Sequence, residues 1–181
     1  MTTWFTSDSH FYHTNIIEYC KRPFQNTHEM NEALIDNWNK CVLPEDTVWH
    51  LGDFALKTNQ EHIKHILSRL NGKKNIVLGN HDRPIRGGLY HLFENAHTVM
   101  QEKSMYMIQE ITIEGQLIVM SHFPMETWHQ SHRNSWHLHG HAHGTVPSRS
   151  NQKRLDVGVD CHQYKPICFE EIQTIMSKKL L

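Results

Sequence analysis

The stretch from Lys74 to Asp82 (Lys-Asn-Ile-Val-Leu-Gly-Asn-His-Asp) constrains this chain more than any other. Three consecutive apolar residues read as a short buried strand. The chain then stops on a glycine and presents an amide, an imidazole and a carboxylate together. Asn80 offers a neutral oxygen suited to a metal ion. His81 offers an imidazole, a group able to give or take a proton, and Asp82 can orient it. A strand that ends in this way predicts a site at its carboxyl end, where open α/β sheets bind ligands.

Alone, Gly-Asn-His-Asp also reads as a polar turn that closes a strand. Four further strand-like runs, however, end in the same manner. Thr3–Thr6 leads into Ser7-Asp8-Ser9-His10, and Thr47–Leu51 into Gly52-Asp53. Gln116–Met120 leads into Ser121-His122, and Trp136–His139 into Gly140-His141-Ala142-His143. In chain order the blocks are Asp-x-His, Gly-Asp, Gly-Asn-His-Asp, His and Gly-His-x-His. This series resembles the calcineurin-like binuclear metallophosphoesterases, from about Asp8 to His143.

The resemblance implies an α/β fold: a four-layer αββα sandwich of two mixed β-sheets flanked by helices. It assigns Asp8, His10, Asp53 and His143 to one metal ion, and Asp53, Asn80, His122 and His141 to a second. The donor types agree with this. Seven donors are too many for one tetrahedral ion but suit two if a carboxylate bridges, and Asp53 is the natural bridge. Four imidazoles favour a divalent transition metal (Mn, Fe, Ni, Co or Zn, with Mn first) over an all-oxygen Mg or Ca cage. Two such ions, roughly 3.5–4 Å apart, could hold two phosphate oxygens while a bridging hydroxide attacks phosphorus. His81, beside a ligand but not itself one, would then meet the leaving oxygen. Asp82 would hold the His81 tautomer.

Whole-chain properties narrow the partners. At 181 residues, the chain suits one domain spanning 1–181 with a sizeable core. Its net charge of −1 disfavours a general electrostatic grip on nucleic acid or anionic lipid. Seventeen histidines are the compositional outlier. No apolar run is long enough to span a bilayer, and no signal peptide is evident after Met1. Cys20, Cys41, Cys161 and Cys168 lack C-x-x-C spacing, which predicts reduced, buried thiols in a cytoplasmic protein. Nothing in the chain decides its oligomeric state, a homodimer included.

Periodicity predicts a short helix within Phe11–Lys21, and a longer one capped by Thr27 that buries Met30, Ala33, Leu34 and Trp38. Thr58 and Glu61 form a capping-box pair before a helix that buries Ile63, Ile66, Leu67 and Leu70. Strands are expected at Val99-Met100, Met105–Ile113, Gln116–Met120, Trp136–His139 and Leu155–Val159, the second and third joined by Glu114-Gly115. A final helix begins near Phe169. The long loops at Phe11–Thr27, Arg83–His97 and Phe123–Ser135 are expected to shape any specificity pocket.

His13, Asn15 and Arg83 are candidates for contact with substrate phosphate, each weighed against a local loop role. His50 reads as a hydrogen-bonded core histidine. Trp128 and Met125 either receive a base or pack their own loop. The expected function is metal-dependent hydrolysis of a phosphomonoester or phosphodiester, with a small nucleotide-like or cyclic diester favoured. A nuclease with the same site is the alternative, disfavoured by charge. A non-catalytic metal-binding scaffold comes third.

Overall fold

The computed structural model describes residues 1–96, 107–147 and 149–179. Its architecture follows from the alternation of side chains along a few short strands. In β1 (Thr3–Thr6), β2 (Thr47–His50) and β3 (Lys73–Ile76), with the residues that continue them, successive side chains go to opposite faces. Val48, Ile76 and Leu78 join one core cluster; Phe5, Trp49, Leu51 and Val77 join another. A sheet buried on both faces must be covered twice, and it is. Three helices cover the first face: α1 (Thr14–Tyr19), α2 (Thr27–Cys41) and α3 (Gln60–Arg69). They supply Ile16, Met30, Leu34, Trp38, Ile63 and Ile66. A second sheet covers the other face, through Ile118, Met120, Trp136 and Leu138.

The first sheet has the order β3-β2-β1-β8, and β8 (Ile167–Cys168) is antiparallel to β1 at the edge. The second sheet comprises β4 (Ile108–Ile113), β5 (Gln116–Ser121), β6 (Trp136–His139) and β7 (Arg154–Asp156). β4 is antiparallel to β5, whereas β5, β6 and β7 run parallel. This is a mixed α/β arrangement with two four-stranded sheets and helices. The β4–β5 hairpin closes on Glu114 and Gly115, both at positive φ, the backbone that a two-residue turn requires.

The helical layers are not symmetric. The final helix, α4 (Phe169–Ser177), buries Phe169, Ile172 and Met176 in the cluster between the sheets. Over the outward face of β6, the covering is the loop before that strand: the Trp128 ring lies 5.3 Å from His137, and the Met125 N–H donates to His137 Nε2. Trp128 thus packs its own loop, its indole N–H held by the Ser135 carbonyl.

Several boundaries differ from expectation. The side chain of Asn26, not Thr27, accepts the Glu29 N–H and caps α2. Asn59, not Thr58, caps α3 through the His62 N–H, and Thr58 instead bonds the His62 ring. In each case an Asn one position away reaches the free amide better. Part of the Arg83–His97 loop forms helical turns over Ile85–Leu89 and Tyr90–Leu92. The expected strand at Val99-Met100 and the start of the one at Met105 lie outside the described residues. The four cysteines form no disulfide, but they are half-buried or exposed rather than buried. No described helix is long and apolar enough to cross a membrane.

Candidate metal centre

The parallel strands β1, β2, β3, β5 and β6 all deliver their next residues to one place. Two groups of donors assemble there: Asp8, His10 and His143, and Asp53, His122 and His141. Within each group the donor atoms lie within 4.8 Å of one another. Asp8 Oδ1 sits 3.8 Å from His10 Nε2 and 3.9 Å from His143 Nε2. Asp53 Oδ2 lies 3.4 Å from His122 Nε2 and 3.7 Å from His10 Nε2, so one oxygen touches both groups. The Asn80 amide oxygen completes the second group, 3.1 Å from His122 Nε2.

The carboxylate–imidazole separations, from 3.4 to 3.9 Å, are long for hydrogen bonds, whereas the Asn80 contact is within hydrogen-bond range. Two ligands about 2.1 Å from a common ion at tetrahedral angles lie about 3.4 Å apart, close to what is seen. Asp8 Oδ1 and both ring nitrogens of His10 are buried and have no hydrogen-bond partner. Buried donors of this kind are costly unless something satisfies them, and a pair of cations fits the set. Burial pushes the Asp8 carboxyl up to about 7 against the pull of His122 and His143. Burial also pushes His10 down to about 2, leaving a neutral imidazole, the form that binds metal. Burial would raise Asp53 too, but the hydrogen bond and charge of His122 and the His81 N–H hold it below the usual carboxylate range.

Two of the imidazoles, those of His122 and His143, are aimed by their other nitrogen. His122 Nδ1–H donates to the Leu51 carbonyl at 2.8 Å, which leaves Nε2 for the centre. His143 Nδ1–H donates to Asp160 Oδ2 at 2.7 Å, with Nε2 turned to Asp8. Burial would lower His143, but Asp160, Cys20 and Asp8 together push it up to about 10. Asp160 is in turn gripped by Arg22, Nε to Oδ1 and Nη2 to Oδ2, both at 2.8 Å. The same guanidinium holds the carbonyls of Asp8 (2.8 Å) and Ser9 (2.9 Å), so one buried arginine fixes the Asp-x-His turn and, through Asp160, His143. Sequence reasoning missed both residues. Asp160 had a usable signal, because Val157-Gly158-Val159-Asp160 repeats the strand, glycine and carboxylate pattern. Arg22 had none, since its partner lies 138 residues away.

Close approach explains two glycines. A Cβ on Gly79 would collide with Asp53, and one on Gly140 with Ser7 Oγ and Asp8 Oδ2. Gly140→Ala is expected to destabilise the fold by about 3 kcal/mol, read as a lower urea midpoint at unchanged slope.

The structure brings His81 to the centre as well. Its N–H donates to Asp53 Oδ1 at 2.9 Å, and its Nε2 lies 3.8 Å from Asp53 Oδ2 with the ring 41% exposed. Asp82 departs from its expected role. Its carboxylate accepts the backbone N–H groups of Asp53 (2.8 Å), Phe54 (2.9 Å) and Gly79 (2.8 Å), and it is fully buried. With its oxygens so occupied, Asp82 clamps the β2 and β3 turns together instead of holding the His81 tautomer. Burial raises its pKa, although the Gly79 and Phe54 N–H groups oppose the shift.

His13 is buried beside His10, the rings 5.4 Å apart, and its Nδ1 has no partner. Asn15 is exposed on α1, and its amide donates to the Tyr19 hydroxyl at 3.3 Å. Arg83 lines a cavity next to Asn80 and His81. His50 is the expected core histidine, bonded to Ser9 Oγ at 2.9 Å and accepting the Gly52 N–H.

Burial pushes His50 down to about 3 and His137 to about 4, from an ordinary 6.5. Below pH 6.5 the unfolded chain takes up protons that these folded rings refuse. Stability is therefore full above that pH and falls with acid by about 1.4 kcal/mol per pH unit per ring. Urea midpoints between pH 7 and 5 should show His137→Gln removing one ring's share of that slope.

No family model matches the chain. A protein of unknown function from Aquifex aeolicus, of known crystal structure, aligns with a TM-score of 0.69 and 27% identity, over 96% of this chain and 98% of its own. An archaeal phosphodiesterase aligns at a TM-score of 0.41 and 19% identity, over 87% of this chain and 82% of its own, too distant to carry fold or activity. The gene 66 protein of Mycobacterium phage L5 is 28% identical over 87% of this chain and 86% of its own. The uncharacterized protein MJ1445 of Methanocaldococcus jannaschii is 32% identical over 95% of this chain and 89% of its own length. The chain therefore belongs to the same family as MJ1445.

Proposed function

We propose that this chain is a single-domain binuclear metallophosphoesterase that hydrolyses a small phosphodiester or phosphomonoester. One observation carries the reading: two donor triads meet at Asp53 Oδ2, within 3.4 Å of His122 Nε2 and 3.7 Å of His10 Nε2. Two divalent transition-metal ions, manganese first among the candidates, would supply Lewis acidity toward phosphoryl oxygens and water acidic enough to ionise near pH 7.

The remaining chemistry falls to the chain's own residues. Asp8, His10 and His143 form the more buried half, while Asn80 and His141 are exposed, so substrate enters from the second triad's side. Asp53 anchors His81 through its backbone N–H, and the half-exposed ring is free to give a proton to the leaving oxygen. Asp82 acts at one remove, by holding the Asp53 and Gly79 turns in register.

Protein loaded with manganese should carry two ions per chain by elemental analysis and hydrolyse bis(p-nitrophenyl) phosphate. Cyclic nucleotides and labelled DNA and RNA in the same series separate the small-molecule reading from the nuclease. Two bound ions with no turnover of any of these would overturn the catalytic reading in favour of a metal-binding scaffold. His81→Ala should slow alkoxide leaving groups about a hundredfold or more, and p-nitrophenolate, which needs no proton, under tenfold. Equal losses for both would remove His81 from the acid role.

A further inference from the structure

A cavity of about 510 Å³ opens beside His81. Leu56 and Lys57 line it from the turn after β2, and Asn80, His81, Arg83 and Pro84 from the turn after β3. It shares Asn80 and His81 with the candidate centre, so it lies on the side where the leaving group departs. Its volume is within the range of small-ligand sites.

The charge pattern of this cavity is distinctive. Its two charged lining residues, Lys57 and Arg83, are both cations, in a chain whose net charge is −1. Among the described residues neither makes an ion pair. Both sit on turns that are held in place. Asp82 ties the Asp53-Phe54 and Gly79 backbones together, and Gln60 Nε2 donates to the Pro84 carbonyl at 3.3 Å. The Leu56 N–H is bonded to the Phe11 carbonyl at 3.1 Å, and Lys57 follows at φ 56°. Two cations without an ion pair among the described residues, on a braced wall, suit an anion.

We infer that this cavity receives a second phosphoryl group carried by the leaving group, so that the preferred substrates are pyrophosphate-linked, as in dinucleotides. The inference rests on the phosphoesterase reading above. Hydrolysis there breaks the P–O bond to the bridging oxygen and forms a P–O bond to the oxygen of water. The water's protons end on the two products, one on each side of the cut. Lys57 and Arg83 meet the phosphate that departs, while His81 faces the oxygen that must accept a proton.

The test uses the full metal-loaded chain, with Lys57→Gln, Arg83→Gln and the double variant. Two substrates are compared by kcat/KM: diadenosine diphosphate, whose leaving group is a phosphate, and the p-nitrophenyl ester of thymidine monophosphate, whose leaving group carries none. Each single variant should lose about tenfold more on the dinucleotide than on the aryl ester. Calorimetry supplies a second readout, in which the preference for inorganic pyrophosphate over orthophosphate falls by a similar factor. Equal losses on both substrates, or an unchanged preference, would overturn the inference while leaving the phosphoesterase reading intact. Turnover of neither substrate by the wild-type chain would overturn both.

Discussion

On the binuclear reading proposed above, Asp53→Ala is expected to leave the chain unable to hold either ion and to lower phosphoester turnover about a thousandfold or more. The reason is geometric. Asp53 Oδ2 is the oxygen adjacent to a nitrogen of each triad, and Oδ1 anchors the His81 backbone at 2.9 Å. Removing the carboxylate leaves the two halves without a shared ligand and takes away negative charge that offsets the cations. Several kcal/mol of lost metal and transition-state stabilisation correspond to three decades or more of rate. Elemental analysis after dialysis should find little metal. His141→Ala, by contrast, should cost mainly one ion, because His141 belongs only to the more exposed triad. Two ions retained in Asp53→Ala would remove the bridging role.

Arg22→Met should lower the melting temperature by about 10 °C. Arg22 is 4% exposed, and its guanidinium makes a two-pronged pair with Asp160 and holds two carbonyls of the Asp-x-His turn. Breaking one side of a buried pair costs about 3–5 kcal/mol, and in a chain of this size each kcal/mol moves the midpoint by about 2–4 °C. The damage comes largely from the carboxylate left behind, so Arg22→Met with Asp160→Asn should be milder than Arg22→Met alone. Calorimetric scans of the metal-free protein measure this directly, and a shift under 2–3 °C would show that Arg22 braces nothing.

How much of this was legible beforehand depends on how local each interaction is. The strand ends at Asp8, Asp53, Asn80, His122 and His141 could be read because a β-strand writes its alternation and its stop into adjacent residues. The assembly of Asp8, His10 and His143 with Asp53, His122 and His141 follows the same ordered blocks. Asp82 was misassigned because adjacency to His81 in sequence suggested contact, whereas its carboxylate turns inward to three amides. Asn26 and Asn59 were passed over because Ser, Thr, Asp and Asn all cap helices, and only backbone geometry decides between neighbours. β8 is two residues long and carries no periodic signature. The Arg22–Asp160–His143 chain joins three distant segments, and no window along the polypeptide contains it.

Asp8, His10, Asp53, His141 and His143 share a backbone feature beyond their chemistry: all five stand at positive φ, between 46° and 65°. Glycine would occupy such positions with least strain, and each side chain retained there costs about 1 kcal/mol. Over five sites the sum rivals the net stability of a typical domain. The chain thus spends conformational free energy to hold five donor-bearing side chains where the backbone alone would favour glycine.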